Sequence, residues 1–348
     1  MEMNLFMLSP LILGAGLLFK NKKPGFMWCG FIFFLFSAFY IYDYFGRAYP
    51  TLAETDFSQL EPNISPAFLY ITKLMAMIIP DYRAATAVWA ALCTAAVMLY
   101  IYKYCYYAVP SAVTLAVSGL WLISFTDPRL FMGIIIAAFA FRYAAEARFV
   151  RFTAFILLAA CFRFDLILLI PLYPIFITKP TLFHIPIGAA LAVLLNFVDL
   201  TPVFSFVNGY EIQRYEGSLF YPVTIAVVCV LTAVFAKIIM RRSEYNRSMI
   251  TVMGAAAVLG IGSIYNERLL VLGAACFLPA ALTLVPEIIS AAKSIAALTF
   301  REKKKPVLIA LAVILAVGSG IYWLVAVYRS PVNYSSWIGA EIVYEYEN

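Results

Sequence analysis

The chain has 348 residues, of which 64% are hydrophobic and only 13% are charged, and its mean hydropathy is +0.90. Soluble domains carry roughly 25% charged residues, so this composition excludes a soluble globule and predicts an all-α, polytopic membrane protein. The lysines and arginines behind the net charge of +6 mostly lie in short loops between apolar runs. They therefore indicate membrane topology rather than nucleic-acid binding.

The first apolar run, 5–19, is followed by a cluster of three lysines. Basic loops stay on the cytoplasmic side, so the N-terminus is predicted to lie outside. The run 26–44 then returns outward. The stretch 45–65 after it is predicted to be the first outer loop, because acidic residues and prolines interrupt its apolar sequence.

The next segment, 66–80, is too short to cross a hydrocarbon core of about 30 Å, and we interpret it as a re-entrant or interfacial helix on the outer side. Later runs alternate in direction and predict about 11–13 transmembrane helices in a single membrane domain, 1–348. Two short runs on either side of Arg163 are predicted to be tilted or broken there. The second outer loop is 199–218, and the tail 328–348 also lies outside. Nearly every basic cluster falls on the inner face: 20–23, 103, 148–151, 179, 237–247 and 293–305.

The predicted outer face instead keeps isolated arginines, nearly all with an acid close by: Arg47, Arg129, Arg163, Arg214 and Arg268. Two of these clusters, Asp127/Arg129 and Arg163/Asp165, lie where helices are expected to surface. Charge within segments that otherwise belong in lipid is costly and marks a functional site by default. Guanidinium groups clamp phosphate in a bidentate manner, so outward-facing arginines suit a lipid-linked pyrophosphate. The alternative for each arginine is a topology anchor or a structural ion pair.

Three acids, Asp165, Glu211 and Glu267, are candidates for a general base, although each also fits the role of ion-pair partner to an arginine nearby. Tyr210 and Tyr215 are candidates for stacking on sugar rings, and the alternative is the aromatic belt at the membrane interface. A single histidine and six cysteines without CxxC spacing predict no metal site and no cofactor.

Several motifs follow one another along the chain. They are Glu61-Pro62 before the helix at Pro66, Arg129 opening a helix rich in small residues, the basic turn 148–151, the segment LLAACFRFDL, and Arg268 opening a later apolar helix. Their order resembles that of the EpsG-like and Wzy-type bacterial polysaccharide polymerases, over roughly residues 40–290. This chain has Leu130 where the family has glutamine, and Arg163 where the family has histidine.

The resemblance implies a GT-C-like helical bundle in the bacterial inner membrane that joins oligosaccharide repeat units carried on undecaprenyl pyrophosphate at the outer face. An acceptor hydroxyl attacks the anomeric carbon of the donor, and lipid pyrophosphate leaves. Arg129, Arg163 and Arg268, and secondarily Arg214, neutralise that pyrophosphate. Because the family's histidine is absent, another group such as Asp165 must act as the base. A chain-length regulator protein is an optional further partner.

Two other functions remain open. A polyprenyl-phosphate-sugar-dependent glycosyltransferase that adds a single sugar is expected to carry an early acidic pair in an outer loop, and Glu54-Thr-Asp56 is a poor match. A lipid-linked glycan flippase or transporter is expected to show polar residues at the midplane and an internal repeat. Under the polymerase hypothesis, Arg129→Ala and Arg163→Ala should each abolish polymer while leaving the protein level intact.

Overall fold

The computed structural model describes residues 12, 15–18, 22–54, 65–117, 128–177, 220–239, 244–262 and 268–299. Within these ranges the chain forms helices and short turns, and no β-strand occurs. Among the described residues, three segments are long and apolar enough to cross a membrane: 82–104, 128–145 and 271–291. The all-α class is therefore confirmed, and these apolar helices support a membrane-embedded protein.

The helices are named here in chain order, and short 3₁₀ helices at Ala15–Leu18 and Phe164–Leu169 accompany them. They are α1 Lys22–Glu54, α2 Pro66–Ile78, α3 Tyr82–Tyr104, α4 Ala108–Val117, α5 Pro128–Ala145, α6 Phe149–Ala160, α7 Tyr173–Ile177, α8 Phe220–Ile239, α9 Glu244–Gly262 and α10 Arg268–Thr299.

Helices α1 and α3 form a long antiparallel pair that sets the height of the bundle. A Cβ atom on Gly30 would lie 3.3 Å from the Met98 side chain, so the glycine permits close approach of the two helices. At the far end, the Tyr49 hydroxyl donates to the backbone carbonyl of Ile79 at 2.7 Å. We call the end that holds Ile79 and the start of α3 the upper end, and the opposite end, which holds Tyr104, the lower end.

Helix α1 continues to Glu54, so the predicted outer loop 45–65 is wrong over its first ten residues. Scattered charges and Pro50 suggested a loop, but Tyr49 is buried in an aromatic cluster with Phe68 and Trp89. Burial of the large Tyr49 ring is favourable, and it stabilises the continuation of the helix beyond its apolar run. Residues 55–64 lie outside the described part of the chain.

At the lower end, polar and aromatic side chains join α5, α9 and α10. The Arg142 guanidinium lies 5.5 Å from the ring centre of Tyr245. The next residue, Asn246, donates from Nδ2 to Glu287 at 2.7 Å. Phe139 packs edge-on against Tyr100, with ring centres 5.4 Å apart. Helices α3, α5 and α10 therefore all run from the upper end toward the lower end, and α9 runs in the opposite direction.

Helix α6 and the chain after it form a short hairpin. With 12 residues, α6 is only about 18 Å long at ~1.5 Å per residue, well short of a membrane crossing. The chain breaks at Arg163, continues as the 3₁₀ helix, and returns through α7 to the lower end, where the rings of Phe176 and Phe141 lie 5.0 Å apart. The predicted break near Arg163 is present. We call residues 161–165 the apex of the hairpin.

The short helix predicted at 66–80 is present as α2. Its first turn lies beside the apex, because the Ala67 amide donates to the Cys161 carbonyl at 2.8 Å. The Phe68 ring lies 4.7 Å from that of Trp89. From there α2 climbs to the upper end, where the Asp81 side chain accepts a hydrogen bond from the Arg83 amide and caps α3. Helix α2 thus begins inside the bundle and ends at its upper end.

Candidate functional site

The most buried ion pair in the described part of the chain lies at the apex of the hairpin. Arg163 Nε is 2.9 Å from Asp165 Oδ2, and the two side chains are only 3% and 1% exposed. Arg163 has an extended backbone (φ −152°) and precedes the 3₁₀ helix, with Asp165 in the first turn. Because the helix is broken between them, two residues that an α-helix would point in different directions meet here.

Arg129 lies close to this pair. It is 5% exposed in the first turn of α5, directly after Pro128, a residue favoured at that helix position. One turn later, a Cβ atom on Gly133 would lie 3.4 Å from Arg163 Cβ. Since residues four apart in a helix are about 6 Å from each other, the backbones of Arg129 and Arg163 lie within about 10 Å of each other. This separation is short enough for two arginine side chains to extend to one ligand.

The site lies well below the upper end of the bundle. Cys93 Sγ is 3.9 Å from the carbonyl of Pro128, and Cys93 lies eleven residues after Tyr82, the start of α3. At ~1.5 Å per residue, α5 begins about 16 Å below the upper end. The expectation that Arg129, Arg163 and Asp165 surface at helix ends is therefore wrong. Their helices do end there, but they end inside a bundle whose longer members, α1 and α3, continue past them.

Arg268 begins α10, and its side chain lies outside the described part of the chain. Arg142 of α5 contacts Tyr245, and Glu287 of α10 contacts the next residue, Asn246, so Arg142 and Glu287 lie at the same height in the bundle. Thirteen residues earlier in each helix, Arg129 therefore lies level with residue 274. Arg268 is six residues earlier, about 9 Å nearer the upper end at ~1.5 Å per residue. The starts of α5 and α10 thus lie toward the same end of the bundle, at different heights.

Several residues and segments named in the sequence analysis lie outside the described part of the chain. They are Arg214, Glu211, Glu267, Tyr210, Tyr215, Asp127, Glu61-Pro62, loop 199–218 and tail 328–348.

Sequence reasoning assigned no role to three buried residues with polar groups on or beside α2. Ser65, 3% exposed, directly precedes α2, and its hydroxyl has no hydrogen-bond partner among the described residues. The indole N–H of Trp89, whose ring is fully buried, likewise meets no acceptor in the described ranges. Lys73, on α2, is 5% exposed. Two features of the sequence could have drawn attention to them: Ser65 directly precedes a helix that begins with proline, and Lys73 lies within a short apolar helix.

Gly133 is the position where the apex contacts α5, so a larger side chain there should displace the hairpin. A Cβ atom would come within 2.9 Å of Leu166 Cδ1 and 3.4 Å of the Ala159 carbonyl. We expect Gly133→Leu to lower the free energy of unfolding by about 1–3 kcal/mol through overpacking, measured by thermal unfolding in detergent. Gly254→Leu is the matched control, since a Cβ atom there meets nothing within 4 Å. Equal melting temperatures for the two variants would contradict close packing at the apex.

No protein-family model, curated protein or solved structure matches the chain. Function must therefore be inferred from the chain's own residues. The apex and α5 hold two guanidinium groups and one carboxylate, all at least nine-tenths buried: Arg129, Arg163 and Asp165. Such a set can bind a phosphate through charge-assisted hydrogen bonds, and its carboxylate can accept a proton from a substrate hydroxyl.

Proposed function

We propose that the chain polymerises oligosaccharide repeat units carried on undecaprenyl pyrophosphate, at the outer face of the bacterial inner membrane. The observation that carries this proposal is the buried pair Arg163–Asp165 with Arg129 within reach of the same ligand. Charge inside a bundle of apolar helices is expensive and by default functional. Two neighbouring guanidinium groups match a diphosphate better than a single-charge ligand.

In the proposed reaction an acceptor sugar hydroxyl attacks the anomeric carbon of the donor chain. The bond from that carbon to the pyrophosphate oxygen breaks, so negative charge develops on the leaving lipid pyrophosphate. Arg129 and Arg163 stabilise this charge from buried positions in the bundle. The acceptor proton passes to a carboxylate, for which Asp165 is the first candidate, while Glu211 and Glu267 remain alternatives. No metal is required by this scheme.

Other parts of the proposal concern the protein around this centre. A GT-C-like bundle of about 11–13 transmembrane helices, with both termini outside, would place the upper end at the outer face. Arg268, nearer that end, would meet the pyrophosphate as the substrate enters, and Arg214 would assist from loop 199–218. Tyr210 and Tyr215 would stack on sugars, and a chain-length regulator could dock on the outer side.

A lipid-linked glycan transporter is the second candidate, and one observation favours it. Helices α2, α5 and α6 all have an end inside the bundle, beside a buried charge. Helices interrupted near the midplane form the substrate sites of many secondary transporters. A transporter would also use Arg129 and Arg163 to hold a phosphate, so the two functions differ in the fate of the substrate rather than in its recognition.

Analysis of the lipid-linked glycans in a deletion strain separates the functions. We expect the polymer to disappear and a single complete repeat on undecaprenyl pyrophosphate to accumulate at the outer face. Complementation with the wild-type gene should restore polymer and serves as the control. A repeat that lacks one sugar would instead indicate the single-sugar transferase, and a complete repeat trapped on the inner face would indicate the transporter.

A further inference from the structure

We infer that Ser65 and the N-terminus of α2 form the second half of the phosphate site, facing the arginines across the apex of the hairpin. This inference rests on the proposed function and deepens it, because it assigns substrate-binding donors to a segment for which the sequence predicted no chemistry. The ligand is a phosphate or pyrophosphate group, either free or carried by a lipid.

The position of Ser65 is fixed by the contact between α2 and the apex. Ala67 donates its amide hydrogen to the Cys161 carbonyl at 2.8 Å, so the residues just before it lie against the turn that leads into Arg163. Ser65 is 3% exposed. Its hydroxyl is thus buried, two residues before the amide that contacts the apex at Cys161.

The Ser65 hydroxyl lacks the partner that its position would ordinarily give it. A serine at the residue before a helix normally accepts a hydrogen bond from an amide in the first turn, but Ser65 makes no such cap. Across the residues that the structure describes, its oxygen has no hydrogen-bond partner. Buried polar groups are nearly always hydrogen-bonded, so an unused hydroxyl at this place points to a ligand.

The direction of α2 favours an anion at the same place. This 13-residue helix starts at the apex and runs away from it toward the upper end, so its N-terminus faces the site. The helix dipole places partial positive charge at this end and so favours an anion. The hydrogen bonds come mainly from side chains, because Pro66 has no amide hydrogen and the Ala67 amide donates to the Cys161 carbonyl. Trp89, packed against Phe68 in that first turn, adds a second buried donor without a partner among the described residues.

Geometry also explains why a phosphate fits better than a single carboxylate. Ser65 approaches the apex from α2, whereas Arg129 approaches from α5 and Arg163 from the hairpin itself. A ligand between them must accept hydrogen bonds from several directions at once. The oxygens of a phosphate are arranged in that way, whereas a carboxylate offers acceptors in one plane.

Binding to the purified full-length chain in nanodiscs tests this inference. Two probes are used separately: undecaprenyl pyrophosphate within the disc, and inorganic pyrophosphate in the buffer. We expect Ser65→Ala to weaken binding about tenfold, the loss typical of one hydrogen bond to a charged group. Ser65→Thr, which keeps the hydroxyl, should bind within about twofold of wild type.

Thr153→Val is the matched control. The Thr153 hydroxyl is also buried and without a partner among the described residues, but it lies two turns before the end of α6. We expect Thr153→Val to bind either probe as the wild type does.

The two probes distinguish the source of the phosphate. Binding of both probes would identify the phosphate itself as the recognised group, and binding of the lipid alone would identify the lipid headgroup. Either result supports the inference if Ser65→Ala weakens the binding.

The failures of the inference and of the proposed function are distinguishable. Wild-type affinity in Ser65→Ala, an equal loss in Thr153→Val, or no binding of either probe by the wild-type chain would overturn the inference. If Ser65→Ala weakens binding but the deletion strain makes normal polymer, the phosphate site stands and the polymerase does not. If polymer is lost on deletion while Ser65→Ala binds normally, the polymerase stands and the role of Ser65 does not.

Discussion

Arg163→Ala is expected to lower the free energy of unfolding by about 3–5 kcal/mol and to abolish polymer synthesis. The substitution leaves the carboxylate of Asp165, itself only 1% exposed, without the guanidinium 2.9 Å away. Removing one partner of a buried ion pair is far more costly than the loss of a surface ion pair. Because the pair is buried, we now expect the protein level of this variant to fall, whereas the sequence alone led us to expect a normal level. Thermal unfolding in detergent and the amount of protein in membranes measure the effect.

A double variant separates the structural role of the pair from its function. Arg163→Met combined with Asp165→Leu removes both charges and fills the space with apolar groups of similar size, a change that is often neutral for stability. We expect this variant to regain most of the melting temperature that Arg163→Ala loses, yet to make no polymer. Polymer at the wild-type level in the double variant would show that the pair only holds the hairpin in place.

Arg129→Gln is expected to lower polymer synthesis by about 10- to 100-fold, with a smaller loss of stability than Arg163→Ala. Glutamine keeps much of the side-chain length, but removes the charge-assisted hydrogen bonds to phosphate, which are worth about 1.5–3 kcal/mol. Polymer length and amount on gels, normalised to the protein in membranes, measure the effect.

The matched control for this variant lies on the same helix. Arg142→Gln removes an arginine near the lower end of α5, where it pairs with Glu146 at 2.7 Å, lies 5.5 Å from the ring centre of Tyr245 and is 41% exposed. Exposed pairs of this kind contribute little, about 0–1 kcal/mol, so Arg142→Gln should synthesise polymer normally. Equal activity in Arg129→Gln and Arg142→Gln would remove Arg129 from the site.

The helical class, the break at Arg163 and its pairing with Asp165 could all be predicted from the sequence. The spacing of apolar residues and the length of apolar runs indicate local structure. Two opposite charges two residues apart at the end of an apolar run indicate both a break in the helix and an ion pair. The short helix α2 was also predictable, because Pro66 opens a run too short to span.

The burial of the site could not be predicted, because it depends on how helices of unequal length are arranged. Arg163 lies where the hairpin packs on α5, since a Cβ atom on Gly133 would lie 3.4 Å from Arg163 Cβ, and these residues are thirty positions apart in the chain. Local sequence likewise gave no reason to extend α1 to Glu54, since the cause is the contact of Tyr49 with residues of α2 and α3. The role of Ser65 was missed for the same reason: its surroundings come from another part of the chain.

Incubation of the purified chain with lipid-linked repeat extracted from the deletion strain tests the central claim most directly. The claim is that Arg129 and Arg163 hold a lipid pyrophosphate while glycosidic bonds form beside them. We expect the wild-type chain to produce a ladder of lengthened glycans and to release undecaprenyl pyrophosphate, and the Arg163→Met/Asp165→Leu variant, although folded, to produce neither. An unchanged single repeat after incubation with the wild-type chain, or a full ladder from the folded double variant, would contradict this account.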